Sequence, residues 1–330
     1  MSHFTVLVIG DNPEEQLSPF NEQPPEGSEY LEFNDCTEEV KEAWENKMIP
    51  CVKIRADENN PQGRWVCEYS SAGRNAKIGS KMDKPAHEVY KDINQFAEDW
   101  FGYHLSGASW GYWHNPNAKW DWYSLGGRWK GNFLLKPGAE GITGESGVFD
   151  NEARPGYVDR CRRGDIDVLT MRMQAKARAN AEYDRFEAAV EGLEEHAVHW
   201  DGLRDSFTRN LSHTEDGYRE KIDEARAEYR NNPWVQAIEA AGFKSFMGPC
   251  YYDMFYVNQG GRERYVQVAM NECITTFAVL MDGEWYERGN MGWWGIVTDE
   301  ADEDVWHEQY SNLFNNLPDD IIVSVYDCHI

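Results

Sequence analysis

From residue 165 to residue 200 the chain has no proline and a single glycine, Gly192. Apolar residues recur there at Ile166, Leu169, Met173 and Ala177, then at Tyr183, Phe186, Val190, Leu193, Ala197 and Trp200. Steps of three and four put them on one narrow stripe of an α-helix. At ~1.5 Å of rise per residue such a helix reaches about 50 Å, longer than a small domain is wide. Ser212 and Glu215 form an S-x-x-E capping box for a second helix, continued by Tyr218, Ile222, Ala225 and Tyr229 and stopped by Pro233. Joined by DGLRDSFTRNLSHT, the two predict an antiparallel hairpin arm over 161–233. An arm that long cannot bury both faces on its own domain, so it projects or packs on a second subunit. Phe207, Arg209 and Leu211 fall at its tip, where aromatic and arginine side chains anchor interfaces, and are candidate partner-binding residues.

The flanking parts, 1–160 and 234–330, read as mixed α/β. Strands are predicted at 4–9, 51–55 and 64–69, with helices at 37–46 and 85–101. Val89, Ile93, Phe96 and Trp100 mark the apolar face of the second helix. The final part reads as strands at 253–258, 264–270, 275–281 and 293–297, a helix at 302–317 and a last strand at 321–326. Compactness predicts that the first and last strands share a sheet, with the arm inserted between them. The fold class is α+β.

Net charge is −26, and from 233 to 330 sixteen Asp and Glu stand against four Lys and Arg. Such a balance opposes direct contact with nucleic-acid phosphates or an anionic membrane and favours basic protein surfaces. No apolar run approaches the roughly 18 residues of a membrane span, and the first ten residues lack a signal-peptide pattern. A cytoplasmic location is expected. Seven dispersed cysteines without C-x-x-C predict reduced, buried thiols, with a metal site built from distant ones as the lesser alternative.

Motifs for phosphate or nucleophilic chemistry are absent: neither a P-loop, a dinucleotide fingerprint nor a G-x-S-x-G elbow occurs. GGRWKG at 126–131 offers glycines and two cations to a phosphate, but reads better as a turn. His196 and His199 have i, i+3 spacing without the glutamate of a known metal motif, and read as structural. Cys328 and His329 are adjacent on a predicted strand and therefore point to opposite faces, which rules against a direct nucleophile–base pair. Asp11, Asp121 and Asp327 are the carboxylates singled out for inspection. No catalytic, cofactor or metal residue is assigned.

WGYWHNPNAKWDWYSLGGRW, 110–129, holds five tryptophans. It reads as turn, strand, glycine turn, strand, with Trp120 and Trp122 on one strand face. Packing inside a β-ribbon is the favoured reading; a stacking floor for a sugar or base and a protein-binding surface stay open.

Whole strings also carry a resemblance. MSHFTVLVIGDNPEEQLSPFNE (1–22), NPNAKWDWYSLGGRW (115–129), FAVLMDGEWYERGNMGWWGIVTDE (277–300) and LPDDIIVSVYDCHI (317–330) resemble a family of bacteriophage-encoded proteins. Within it the chain resembles the Gabija anti-defence proteins. The resemblance implies a non-enzymatic inhibitor without cofactors, acting in the cytoplasm of an infected bacterium. It implies a homo-oligomer that encloses the Gabija nuclease–helicase complex and blocks DNA engagement. It locates no site. Two other classes stand beside it: an enzyme acting on, or a protein sequestering, a nucleotide-like signal, and a structural phage protein.

Overall fold

A computed structural model describes residues 2–54, 64–75, 80–146, 154–209, 211–212, 214, 217–243, 260–291 and 297–330. The chain divides into two units, Met1–Gln16 with Tyr123–Ile330, and Leu17–Trp122. The boundaries of these two units fall near 17 and 122. The first strand pairs with strands from the last part of the chain and so belongs to the larger unit.

In the larger unit, His3–Ile9 pairs antiparallel with Ile322–His329 over seven residues, from His3↔His329 to Ile9↔Val323. On its other side it runs parallel to Ala278–Met281, which forms a hairpin with Glu284–Glu287. The sheet continues beyond Ile322–His329 through Trp122–Gly127 to Glu145–Ser146, and Arg160–Arg162 also pairs with Ile322–His329. The first and last strands share a sheet, as compactness predicts.

Side chains alternate along these strands, so one face carries Leu7, Ile9, Val279, Val323 and Val325. That face packs with Phe133 and with Trp306, Tyr310 and Phe314 of the helix Glu303–Asn316. Toward the chain ends the same face becomes polar, at His3, Thr5, Asp327 and His329. Apolar registers build the core; the polar ones lie beyond it.

The predicted arm is not one hairpin of two long helices. The first helix is Val168–Val190 and stops before Gly192, which takes a left-handed conformation with φ +77°. A short turn and the helix Trp200–Thr208 follow, and Trp200–Thr208 packs on Tyr218–Asn231. Ser212 does not open that helix; its hydroxyl meets Thr214 at 3.1 Å, and the helix begins after Gly217 with φ +93°. Pro233 ends one helix and starts the next, Pro233–Ala240, whose first amides are capped by Asn232. These helices close over their own core of Tyr183, Phe186, Trp200, Tyr229, Trp234 and Ile238. From Tyr183 onward the predicted stripe is covered by neighbours from the same chain, whereas Leu169, Met173 and Ala177 of its first half stay exposed and the helix buries Met171, Ala175 and Ala179 instead.

Residues 264–270, predicted as a strand, lie in the helix Gly261–Glu272, which packs along Val168–Val190. Tyr265 donates to Glu182 at 2.9 Å, and Arg262 reaches Asp184 and Glu187. Tertiary contact overrides the strand-like alternation of Val266 and Val268. The predicted strand 253–258 lies outside the described residues, as do 293–296.

Among the described residues of the smaller unit there are two three-stranded antiparallel sheets. One joins Glu32–Asp35, Ser109–His114 and His104–Ser106; the other joins Arg64–Cys67, Met48–Ile54 and Lys81–Pro85. The helix Thr37–Asn46 forms as predicted, whereas 85–101 forms short helical pieces, interrupted where Asp92 caps Gln95. Ile49, Cys51, Tyr90 and Phe96 are central to its core.

The tryptophans of 110–129 do not share a core. Trp120 is buried, its indole N–H donating to the Leu17 carbonyl at 3.1 Å, while Trp113, Trp122 and Trp129 are exposed. Nor do 122 and 132–135 form a ribbon: Trp122–Gly127 pairs in the large sheet, and Phe133–Leu134 pairs with Tyr157–Val158. The glycines between them wrap two buried carboxylates. Asp159 accepts from the amides of Gly131 (2.6 Å), Asn132 (3.0 Å) and Gly144 (2.9 Å) and from the Asn132 side chain (2.8 Å). Asp327 accepts from the Arg128 amide at 2.9 Å. Gly126 and Gly127 take φ of +69° and +50°, and a Cβ on either would meet Asp159 or Asp327 at 2.5 Å. These amides are occupied by the chain's own carboxylates, which explains the motif without a phosphate.

Asp159→Ala should therefore strand several buried donors and lower stability by about 3 kcal/mol or more, read from urea unfolding; a loss under about 1 kcal/mol would contradict the role given to Asp159.

Candidate functional site

Where the inner sheet face turns polar, the larger unit carries a cleft of about 510 Å³. His3, Thr5, Asn132, Glu272, Arg288 and His307 supply polar groups, and Phe4, Trp129, Phe277 and Trp306 supply aromatic wall. Volume and lining suit a small polar molecule with a flat ring.

Strand register places His3 diagonally across from Asp327, and His3 Nδ1 lies 2.8 Å from Asp327 Oδ1. Asp327 is wholly buried; its other oxygen takes the Arg128 amide. The carboxylate is thus fixed by the loop, and the imidazole by the carboxylate. With Nδ1–H donating to Asp327, the lone pair of the neutral ring sits on Nε2. His329 and Trp129 contact the His3 ring edge-on, with centroids at 4.8 and 6.5 Å.

The cleft wall is tied down by local hydrogen bonds. Trp306 Nε1 donates to the Thr276 carbonyl at 3.0 Å, the Thr276 hydroxyl to the Ala278 carbonyl at 2.7 Å, and the Phe277 amide to the Thr5 hydroxyl at 3.3 Å. His307, one residue beyond Trp306, is 2% exposed, and its Nδ1 has no hydrogen-bond partner. Burial lowers its pKa, with Arg288 and Arg264 adding to the effect and Glu303 and Asp304 opposing it. Glu272, Glu303 and His307 each bring one possible ligand atom within 4.8 Å of the others.

Of the carboxylates singled out in the sequence, Asp327 belongs to this site, whereas Asp11 and Asp121 are exposed and outside it. Cys328 points away from the Asp327 face, fully buried, with its thiol pushed well above the ordinary range by burial and then by the Asp327 charge. His196 is exposed beside Glu195, and His199 precedes Trp200–Thr208; neither joins a metal-capable group among the described residues. Phe207 is half-buried and packs against the helical core, Leu211 is half-buried and Arg209 is exposed. Sequence reasoning missed His3, Asp159, Glu272, Glu303 and His307. The i, i+4 pair Glu303/His307 on a predicted helix was the one local signal available.

Burial also raises the Cys161 thiol to about 12. Iodoacetamide labelling of native protein at pH 8, mapped by peptide, should therefore spare Cys161 and Cys328 and mark the half-exposed Cys36. Rapid labelling of Cys328 would contradict its placement.

No helix among the described residues is long and apolar enough to cross a membrane. No protein-family model matches the chain, and neither a curated protein nor a solved structure matches it.

Proposed function

We propose that the larger unit is an enzyme whose cleft binds a small polar molecule with a flat ring, and that His3 moves a proton there during hydrolysis or transfer to water. One observation carries this reading: a histidine on the cleft wall, 2.8 Å from a carboxylate that is wholly buried and itself held by a backbone amide. A carboxylate in that place fixes the imidazole tautomer and stabilises the imidazolium formed when Nε2 accepts a proton from water or a hydroxyl. Trp129 and Phe277 provide surfaces for ring stacking, in keeping with a nucleotide-like substrate. Screening p-nitrophenyl phosphate, p-nitrophenyl acetate and linear and cyclic nucleotides should find turnover that His3→Gln lowers by about 10²–10⁴-fold without unfolding the protein. No turnover across the panel, or equal turnover by His3→Gln, would sink the reading.

The stoichiometric-inhibitor reading, with Gabija as partner and self-association, keeps one supporting observation. Leu169 and Met173, one turn apart on Val168–Val190, are 71% and 62% exposed, an apolar pair suited to a protein contact. On this reading the purified protein is multi-subunit and co-migrates with the Gabija complex, and Leu169→Asp with Met173→Asp disrupts one or both. A monomer at micromolar concentration that fails to co-migrate would end it.

A further inference from the structure

Two helices of the larger unit bring a nitrogen and two carboxylates to one point. Glu303 and His307 are one turn apart on Glu303–Asn316 and so share a helix face. Glu272 is the last residue of Gly261–Glu272. One ligand atom from each lies within 4.8 Å of the other two, a span that a single ion can bridge. Glu272 is exposed, Glu303 half-buried and His307 buried, so the group runs from the protein interior to solvent.

A second observation is independent of that clustering. The His307 ring is 2% exposed, lines the cleft, and has a buried Nδ1 with no hydrogen-bond partner. Buried ring nitrogens are ordinarily satisfied, and a missing ligand is one recognised reason when they are not.

Charged neighbours hold Glu303 in place. Arg264 holds Glu303 Oε2 at 2.8 Å and also pairs with Asp304; Arg288 pairs with Glu300 at 2.8 Å and approaches Glu303 Oε1 at 3.9 Å. Three carboxylates thus meet two guanidiniums at the start of this helix, while Arg172 and Arg178 act on Cys273 beside Glu272. The arginines orient Glu303, as outer-shell partners orient ligating carboxylates. Asp302 caps the first turn of the helix through the amides of Asp304 and Val305, at 3.0 and 3.4 Å, which fixes the start of the segment bearing both ligands.

We propose that Glu272, Glu303 and His307 bind one divalent transition-metal cation, Zn²⁺ or Mn²⁺. An imidazole with two carboxylates suits these ions better than the all-oxygen sets of Ca²⁺ and Mg²⁺. Three protein ligands leave a coordination position open. The inference deepens the enzyme reading, because Glu272 and His307 line the cleft that contains His3.

The test measures metal and needs no substrate. Full-length protein stripped with chelator, then titrated separately with Zn²⁺ and Mn²⁺ by calorimetry and assayed by elemental mass spectrometry after gel filtration, should retain one equivalent of at least one of them. Glu272→Gln and His307→Gln should each weaken that binding at least about tenfold, while His3→Gln should bind as the wild type does. Absence of saturable binding in the wild type, or binding unchanged in Glu272→Gln, would overturn the proposal. Glu272 is exposed, so its variant decides the matter even if His307→Gln fails to fold by circular dichroism. His3-dependent turnover without metal binding would sink the metal site alone; metal binding without such turnover would sink only the enzyme reading.

Discussion

The pairing of His3–Ile9 with Ile322–His329 is the constraint on which the larger unit depends. It joins residues more than three hundred positions apart, and forming it requires the intervening chain to close as a loop. The burial of Leu7, Ile9, Val323 and Val325 on one face offsets that entropy. Register then decides the chemistry. Because side chains alternate with period two, the alignment that buries the valines also brings His3 and Asp327 together beyond the core. A slip of one residue would reverse both results.

Asp159 and Asp327 extend this logic to the glycine loop. Their carboxylates are buried where water cannot solvate them, and they are matched by amides of a chain that turns through left-handed glycines at 126, 127 and 131. The loop in turn places Trp129 and Asn132 on the cleft. What looks from the sequence like an anion-binding turn is an internal one.

Much of the frame was legible in the sequence. The alternation of FTVLVI and IVSVYD predicts strands that pair, and the spacing of Trp306, Tyr310 and Phe314 predicts the helix covering them. Period and composition are local signals, and these elements obey them. The helical segment shows the limit: a stripe from Ile166 to Trp200 cannot reveal that the chain turns at Gly192 and covers only the half from Tyr183 on, leaving Leu169 and Met173 exposed. The site was less legible still. His3 looks like one polar residue in a strand, and Asp327 like one of 58 acids, until strand register joins them. Glu272 meets Glu303 and His307 only through the packing of two helices, one of which reads locally as a strand.

The proposed function requires that Asp327 fix the imidazole of His3 for proton transfer. The most direct measurement of this is nitrogen NMR of protein labelled with ¹⁵N-histidine, with the His3 signals identified by their absence from His3→Gln. The structure predicts a His3 ring with its proton on Nδ1 and an unprotonated Nε2. A proton on Nε2, or a shift showing the two tautomers in free exchange, would contradict it.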